Sequence, residues 1–469
     1  MSQTREPATD LQPFTVMQSI AEVLRMALPL MISTGTFSLV LFADRTLLLY
    51  FETGQQMGPA MAAGNLYWTL TCLPIGIASM TGAIVAQYVG SGREREVGRF
   101  LWQVVWFGIA TIPYFALAAY FTPDLFHASG QAESLISLET TYLRLVLLGA
   151  VGAVIESGLS GFFSGTQRTH VIMWSSLVTA SLNVVLSVWF IFGGLGLPAG
   201  GIAGAAWGSV IAFWFKPVIF AMLMLRRKLD QQYGIRSGLS FDLSQIRKLL
   251  FFGIPAGLQY LTEAGAFTMI VLQIGQLGDI PLRATTMAIN FNMIAFIPMI
   301  GIAIAASVLV GHHLTESGPR RAIVAVRAAM VIAWLYSLAW AYLYFFLPDF
   351  LLSLYSLGQQ GEDTIEAIAI ARNLLMFVGV YVLLDATQLV LAGALRGAGD
   401  TWFVLAAAFV TATTSILAGV LGEKIAMEQF GISTLYWWWT IITLWIFLLA
   451  IAMVIRYWQA RWQTMRMVS

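Results

Sequence analysis

Acidic side chains lie inside long apolar stretches of this sequence. Asp44, Glu156, Glu263 and Asp385 each fall within a segment rich in Leu, Ile, Val, Phe and Ala. A carboxylate at the centre of a helix in hydrocarbon costs roughly 3 kcal/mol. Acids retained at such positions usually take part in function. These four residues are therefore the first candidates for chemistry.

Two of the acids have polar neighbours at helical spacing. Gln259 precedes Glu263 by four residues and Tyr381 precedes Asp385 by four, so each pair shares a helix face. Gln388 follows Asp385 by three residues and borders the same face. Carboxylate, amide and phenol oxygens grouped in this way can form a cage for Na⁺ or a hydrogen-bond network for H⁺. We therefore expect the cation site at these residues.

Structural roles are the alternative for the same acids. Glu263 and Asp385 could form fixed ion pairs or stay protonated, and Glu156 is equally well explained as a helix-end residue that reaches water. Asp44 lies in the outer third of the first apolar segment. Arg45 follows it, but adjacent residues diverge around a helix and need not pair. The basic residues within the apolar segments all lie nearer their ends: Arg45, Arg144, Lys216 and Arg372.

The composition is that of an integral membrane protein. Of 469 residues, 58% are hydrophobic and 10% are charged, whereas a soluble domain is about 45–50% apolar and about 25% charged. The 25 basic and 24 acidic residues nearly balance, which gives no indication of a nucleic-acid partner. The single cysteine, Cys72, excludes an internal disulfide and argues against a metal–thiolate site. We expect no cofactor other than a coupling ion.

Twelve segments are long and apolar enough to cross a bilayer, which takes about 20 residues. They are residues 24–49, 60–86, 100–121, 140–160, 171–193, 201–225, 249–274, 285–311, 323–347, 368–392, 402–421 and 434–456. Alternate loops carry basic residues such as Arg93, Arg226 and Arg320, and the opposite loops carry acids such as Asp124 and Asp279. The positive-inside rule then places both termini in the cytoplasm. We expect a multi-pass protein of the cell inner membrane.

The two halves of the chain repeat each other. "PIGIASMTGAIVAQYVGSGRER" from Pro74 and "PMIGIAIAASVLVGHHLTESGPRR" from Pro298 share Pro, Gly-Ile-Ala, an apolar run, Ser-Gly and arginines. A GxxxGxxxT pattern begins at residue 161 and again at residue 393. Small residues are common in all membrane helices, so a single pair means little. Their shared order and spacing indicate two homologous halves.

Each half carries six spans, so both halves enter the membrane from the same side. We predict an all-α integral membrane fold of twelve transmembrane helices, in two six-helix lobes related by a pseudo-twofold axis along the membrane normal. The lobes are residues 1–225 and 249–469, joined by a cytoplasmic linker at 226–248. Asn65 and Asn290 occupy equivalent positions in the second and eighth spans. This architecture is typical of alternating-access transporters, which bind substrate near the midplane between repeats.

Four motifs resemble those of a known family. "DATQLVLAGALRGAGDT" (385–401) resembles the span-ten motif of the MATE family, the multidrug and toxic compound extrusion transporters. "NVVLSVWFIFGGLGLPAGGIAGAAWGS" (183–209) resembles its span-five-to-six signature. "IVAQYVGSGR" (84–93), and "MAINF" followed by "VGHHLTE" (287–316), resemble its span-two and span-eight patterns. The resemblance covers essentially the whole chain, and the combination of motifs is specific.

The resemblance implies a secondary active antiporter that exports amphipathic organic cations in exchange for Na⁺ or H⁺. In the bacterial sodium-coupled branch, a span-seven glutamate lies eight residues after a proline, and Glu263 after Pro255 matches it. That branch also uses a span-ten aspartate with a tyrosine one turn before, which Asp385 and Tyr381 match. Glu263 and Asp385 would then be the ligands of Na⁺. The family's span-one aspartate corresponds to Asp44.

Further residues are candidates for substrate contact or proton coupling. They are Asp44, Gln259, Asn290 and Gln388. The proton-coupled archaeal members resemble this chain at Asn183 but carry an aspartate where Ser187 stands, so a proton switch built on that acid is not supported. Expected partners are small organic cations and membrane lipid, with no nucleic acid, and we expect a monomer.

Three other classes of protein fit the sequence less well. A lipid-linked precursor flippase of the wider superfamily would need a cationic cavity, whereas the deep charges here are acidic. A channel would need a filter ring, which two unequal lobes do not offer. A membrane enzyme would need a His or Cys cluster, a Ser–His pair or a phosphate loop within the spans. We expect His312 and His313 to be solvated, and "YWWW" (436–439) to form an interfacial belt.

Overall fold

The computed structural model describes residues 16–51, 56–128, 133–194, 196–356 and 361–468. Within these ranges the chain is helical and contains no named strand, so the prediction of an all-α fold is confirmed. The side chain of Arg45 lies outside the described part, and with it the relation of Arg45 to Asp44.

Seventeen α-helices and one 3₁₀ turn make up the described residues. The first half contains α1 (Val16–Tyr50), α2 (Met57–Ser79), α3 (Thr81–Gly90), α4 (Arg95–Ala110), α5 (Ile112–Tyr120), α6 (Thr122–Ala128), α7 (Glu133–Gly165), α8 (Thr169–Phe192) and α9 (Gly201–Met224). The remainder contains α10 (Arg227–Tyr233), α11 (Leu243–Gly275), α12 (Asp279–Glu316), α13 (Pro319–Phe346), α14 (Pro348–Ser356), α15 (Glu362–Ala398), α16 (Thr401–Phe430), α17 (Thr434–Trp458) and the 3₁₀ turn Arg461–Thr464.

Every predicted span falls on a helix of the described residues. The second and third spans are each divided, at Met80 between α2 and α3 and at Thr111 between α4 and α5. Ten helical stretches of the described residues are long and apolar enough to cross a membrane. The other two predicted spans lie on α1 and α11, which contain 35 and 33 residues and are long enough to cross a bilayer. In α11, polar side chains such as Gln259 and Glu263 lower the mean hydropathy.

Equivalent helices of the two halves pack in equivalent ways. The first span contacts the eighth, α1 on α12, and the second contacts the seventh, α2 on α11. Within the halves, α7 packs on α3 through Gly161, and α15 packs on α12 through Gly397. Both glycines belong to the GxxxGxxxT repeat. Interchange of the halves therefore preserves the contacts, as the predicted pseudo-twofold axis requires.

A pair of glycines fixes the crossing of α2 and α11. A Cβ atom placed on Gly76 would lie 2.5 Å from the Cα of Gly257, and one on Gly257 would meet the backbone oxygen of Leu73. Small residues let membrane helices approach through their backbones. Larger side chains at these two positions would force the halves apart.

The two halves are closed at one end and apart at the other. We call the end formed by loops 91–94 and 317–318 the basic end, because arginines flank both loops. At this end the halves touch, since a Cβ atom placed on Gly90 of α3 would meet the backbone oxygen of His312 on α12. About two and three helical turns from Gly76, on the side away from the basic end, Thr69 and Asn65 on the same face of α2 are exposed, as is Thr268 on α11. We call this other end the open end.

The segment between the halves is ordered and docked on α4. Asp242 caps α11, since its carboxylate accepts hydrogen bonds from the backbone of Ser244 at 2.9 Å and pairs with Arg99 at 3.0 Å. Gln103 of α4 donates to the backbone oxygen of Ser240 at 2.7 Å. Because of the cap, α11 begins at Leu243, ahead of the predicted residue 249.

The aromatic sequence at 436–439 corrects one expectation. Trp438 and Trp439 are only 1% and 0% exposed, so the interpretation as an interfacial belt is wrong for these two residues. A Cβ atom on Gly419 of α16 would lie 2.6 Å from the ring of Trp438. The indole of Trp439 donates to the hydroxyl of Thr285 at 3.3 Å. Both rings fill space between helices of the second half.

Candidate functional site

Two carboxyl groups face the interior of the second half from α11 and α15. Glu263 accepts a hydrogen bond from the amide of Gln259 at 2.9 Å, and Asp385 accepts one from the amide of Gln388 at 2.9 Å. Each partner lies one turn away on the same helix, as the spacing predicts. Asp385 and Gln388 are 6% and 5% exposed, and Tyr381 is 3% exposed.

The two acids act on each other across the space between the helices. The carboxyl groups of Glu263 and Asp385 interact electrostatically, and the phenol of Tyr381 interacts in the same way with Asp385. The structure therefore brings together five of the predicted residues, namely Glu263, Asp385, Tyr381, Gln259 and Gln388. We call this group the second-half cluster.

The second-half cluster has no direct basic partner among the described residues. Among the described residues, no basic nitrogen lies within 4 Å of Glu263 or Asp385, the limit that defines the ion pairs found elsewhere in the protein. The amide oxygen of Gln259 is buried and accepts no hydrogen bond within the described part of the chain. An unfilled acceptor beside two carboxyl groups is suited to a proton or a small cation. The described residues contain no group of three or more His, Cys, Asp or Glu that could hold a metal ion.

One arginine approaches this group from the end of α15. Arg396 donates to the hydroxyl of Tyr260 at 3.2 Å, and its guanidinium lies 5.8 Å from the centre of that ring. Tyr260 precedes Glu263 by three residues, so the guanidinium lies on the side of α11 that carries Glu263 and acts on its charge. Hydropathy placed Arg396 in a loop, so this contribution was not predicted.

Asn290 lies apart from the second-half cluster. It is exposed on α12 and donates to the hydroxyl of Tyr355 on α14 at 3.0 Å. This contact places it towards the open end. Its predicted role in substrate contact would therefore be at the mouth of the cleft.

Asp44 forms a separate site in the first half. One carboxylate oxygen accepts a hydrogen bond from Ser187 of α8 at 2.7 Å, and the other accepts one from Ser209 of α9 at 3.2 Å. Asp44 is 6% exposed. One turn before Ser187, the amide oxygen of Asn183 is buried and accepts no hydrogen bond from the described residues. Asp44 is thus supplied with two hydroxyl donors, whereas Glu263 and Asp385 each have one amide donor.

Glu156 forms an ion pair. Its carboxylate lies 2.7 Å from the ammonium of Lys216 on α9, and both side chains are largely buried, at 24% and 17% exposure. Of the two alternatives for Glu156, a structural role is the one that this contact supports.

The adjacent histidines are not solvated as expected. His313 is 5% exposed. Its imidazole lies 3.2 Å from the carboxylate of Glu22 on α1, and that of His312 lies 3.6 Å from Glu316. The expectation is wrong because α1 covers this end of α12, a contact between the halves that the sequence does not reveal.

Several polar partners were not predicted from the sequence. Ser187 and Ser209 stand in the quoted 183–209 motif, but nothing in their spacing connects them to Asp44. Glu139 lies just outside the predicted span 140–160. It is 1% exposed, and one of its carboxylate oxygens has no hydrogen-bond partner in the described residues. The serines and Asp44 lie on three different helices, so their contact becomes visible only in the tertiary fold.

Curated relatives are multidrug resistance proteins. The chain is 29% identical over 358 residues to the probable multidrug resistance protein NorM of Rhizobium meliloti (strain 1021), covering 74% of each chain. It is 26% identical over 395 residues to the multidrug resistance protein NorM of Aliivibrio fischeri, covering 84% of each.

Solved structures share the fold. The eukaryotic MATE transporter AtDTX14 superposes with a TM-score of 0.82 at 18% identity, over 96% of this chain and 97% of that one. An outward-facing multidrug resistance MATE family transporter of the MOP superfamily gives a TM-score of 0.79 at 19% identity, over 94% and 97%. These transporters have twelve transmembrane helices in two lobes, which confirms the predicted architecture.

The sequence profile of one family matches the chain twice. The MatE profile covers residues 29–189 and again residues 255–421, once in each half. Members of this family are transporters, so the expectation that the chain is not an enzyme is confirmed. Since the two matches span more than half of the sequence, the chain belongs to the MatE family.

Proposed function

We propose that this protein is a multidrug exporter that exchanges amphipathic organic cations for Na⁺ or H⁺ by alternating access. The named relatives are multidrug resistance proteins, which supports the substrate class. The separated halves at the open end and their close contact at the basic end support a conformation with access from one side only.

The observation that carries the proposal is the second-half cluster. Two carboxyl groups interact across α11 and α15 with no basic nitrogen within 4 Å among the described residues, and the oxygen of Gln259 beside them lacks a donor there. Oxygen ligands of this kind suit Na⁺, and carboxyl groups also take up H⁺. The coupling ion is itself a transported substrate, which binds on one side of the membrane and leaves on the other.

Each residue of the cluster has a role in the exchange. Glu263 and Asp385 take up the cation, with the phenol of Tyr381 nearby and the amides of Gln259 and Gln388 orienting the carboxyl groups. Cation entry from the open end favours the state that releases drug outward. Drug entry from the opposite side favours release of the ion inward. The coupling between the ion site and the drug site is a free energy. The ion must therefore change the affinity for the drug by the same factor as the drug changes the affinity for the ion.

The membrane potential limits what one ion can drive. An inward potential of 100 mV supplies about 2.3 kcal/mol per charge. Exchange of one cation for a neutral drug gains this whole amount. It can sustain a drug concentration more than tenfold higher outside the cell than inside. Exchange for a monovalent cationic drug gains nothing from the potential and depends on the ion gradient alone.

The same proposal sets the orientation. The arginines of the basic end support an orientation with that end and both termini on the cytoplasmic side of a cell inner membrane. The open end then faces outward. We propose that the protein works as a monomer within membrane lipid and needs no cofactor or nucleic acid.

Two features of the structure argue against a flippase or a channel. A flippase for lipid-linked precursors would need a cationic cavity, whereas the second-half cluster is acidic. A channel would pass current with both ends open, whereas the halves touch at the basic end here, where Gly90 lies against the backbone of His312. Single-channel recording that showed conduction would favour the channel.

Efflux of a fluorescent organic cation from proteoliposomes tests the function. The Na⁺ and H⁺ gradients are imposed one at a time. We expect one gradient to drive efflux of the dye and the other to have little effect, which also identifies the ion. Efflux that neither gradient changes would exclude coupled antiport.

A further inference from the structure

A single buried glutamine joins three parts of the chain at the basic end. Gln87, at the end of α3, is 0% exposed. Its amide nitrogen donates to the backbone oxygen of Gly397 on α15 at 3.0 Å. Its amide oxygen accepts hydrogen bonds from the backbone of Met467 at 2.7 Å and Val468 at 3.3 Å. The first half, the second half and the segment after α17 therefore meet at one side chain.

The segment after α17, residues 459–468, is held in position by its own contacts, and we call it the tail segment. Ala460 turns the chain with a φ of 58°, and a 3₁₀ turn follows. The indole of Trp462 stacks on Tyr457 at 5.1 Å between ring centres and donates to the backbone oxygen of that residue at 3.0 Å. Trp462, Met467 and Val468 are all buried. The tail segment is thus anchored in the packed interior by these three side chains.

The path of the tail segment explains a glycine at the end of α15. Gly399 has a φ of 104°, and a Cβ atom placed there would lie 2.8 Å from the side chain of Met467. A glycine satisfies both the backbone angle and the close contact. The end of α15 and the tail segment therefore fit together beside Gln87.

Parting of the halves at the basic end must break this junction. Gln87 moves with the first half, whereas Gly397 and the tail segment belong to the second. A buried polar group that loses its partner costs more than a hydrogen bond contributes. The closed arrangement is favoured until water or new partners reach the amide.

We propose that Gln87 is a positioning residue that latches the tail segment across the two halves and sets how readily the basic end opens. The inference rests on the proposed alternating access, and adds a gate residue remote from the second-half cluster. It concerns the balance of two conformations, not the binding of ion or drug.

Gln103 provides a matched control. It too is 0% exposed, and its amide makes three hydrogen bonds, to the backbone of Arg99, Ser240 and Asp242 at 2.7–2.9 Å. Those partners lie on α4, in the connecting segment and at Asp242, the cap of α11, and none of them is Gly397 or a residue of the tail segment. Gln103→Leu removes as much hydrogen bonding as Gln87→Leu without touching the proposed latch.

Distances between spin labels report the opening directly. Cys72 is the only cysteine and is buried, so a Cys72→Ala background allows labels to be placed at Ser91→Cys and Arg320→Cys. Both positions are exposed at the basic end, on opposite halves. Double electron–electron resonance is recorded in liposomes without drug or ion gradient. Parent, Gln87→Leu, Gln103→Leu and a variant lacking residues 461–469 are compared.

The latch predicts a graded result. Loss of the tail segment removes two of the three bonds, and Gln87→Leu removes all three. The ratio of the longer to the shorter distance should rise in both, and by roughly tenfold or more in Gln87→Leu, because each bond contributes about 0.5–1.5 kcal/mol. Gln103→Leu should match the parent.

Two results would overturn the latch. One is a distance distribution unchanged from the parent in both Gln87→Leu and the tail deletion; if Gln87→Leu does not fold, the deletion alone decides. The other is an equal shift in Gln103→Leu. Since neither a drug nor an ion gradient is applied, a negative result leaves the proposed antiport standing, and failure of ion-driven efflux leaves this measurement valid.

Discussion

Buried acidic side chains in this protein differ in their partners. Glu156 lies 2.7 Å from Lys216 and is neutralised in place. Asp44 is supplied with two serine hydroxyls. Glu263 and Asp385 each accept one amide hydrogen bond from their own helix and have no basic nitrogen within 4 Å among the described residues. An exchangeable proton or cation can therefore take the place that Lys216 fills beside Glu156.

The ion pair of α7 and α9 gives a prediction at the residue scale. Lys216→Met should lower the stability of the protein by about 3–5 kcal/mol, because it leaves Glu156 buried without its partner. Glu156→Gln together with Lys216→Met should recover most of that loss. Thermal unfolding in detergent of the two single variants and the double variant measures the coupling. Additive losses would show that the pair is not coupled.

Helical spacing predicted the local part of the site. The one-turn spacing of Gln259 and Glu263, and of Asp385 and Gln388, appears in the structure as two 2.9 Å hydrogen bonds. The partners of Asp44 and Glu156 come from other helices, so no spacing in the sequence could indicate them. Residue chemistry within one helix is thus readable from sequence, whereas contacts between helices are not.

At the scale of the helices, hydropathy predicted every span. It did not predict the divisions at Met80 and Thr111 or the early start of α11, because these depend on local caps and turns. The prediction for Trp438 was wrong because an aromatic ring is found both at the membrane interface and in the space between two helices. Only the contact with Gly419 distinguishes the two.

The crossing of α2 and α11 gives a prediction at this scale. Gly257→Ala should destabilise the protein by about 1–3 kcal/mol, because its Cβ would meet the backbone oxygen of Leu73. Gly265→Ala on the same helix is the control, since no atom lies within 4 Å of a Cβ placed there. That change should be neutral, or stabilising by up to about 1 kcal/mol. Equal melting temperatures for both variants would contradict the proposed close packing.

At the scale of the whole molecule, the halves meet at the basic end and part at the other. The internal repeat predicted two six-helix lobes. The contacts agree with this prediction, because α1 packs on α12 and the equivalent pair with the halves interchanged, α11 and α2, also packs together. Which end is closed could not be predicted. The two arrangements use one sequence and differ by a small free energy that depends on contacts such as those of Gln87.

The most direct test compares gradient-driven efflux of a fluorescent organic cation by three variants in proteoliposomes. Asp385→Asn and Glu263→Gln remove the charges of the second-half cluster, and Asp44→Asn is a matched control with the same 6% exposure as Asp385. We predict that the first two variants each lower ion-driven efflux by about 5- to 150-fold, the usual range of coupling between sites, and that Asp44→Asn retains its dependence on the ion. Normal ion-driven efflux by both Asp385→Asn and Glu263→Gln, or its loss in Asp44→Asn alone, would contradict a cation site in the second half.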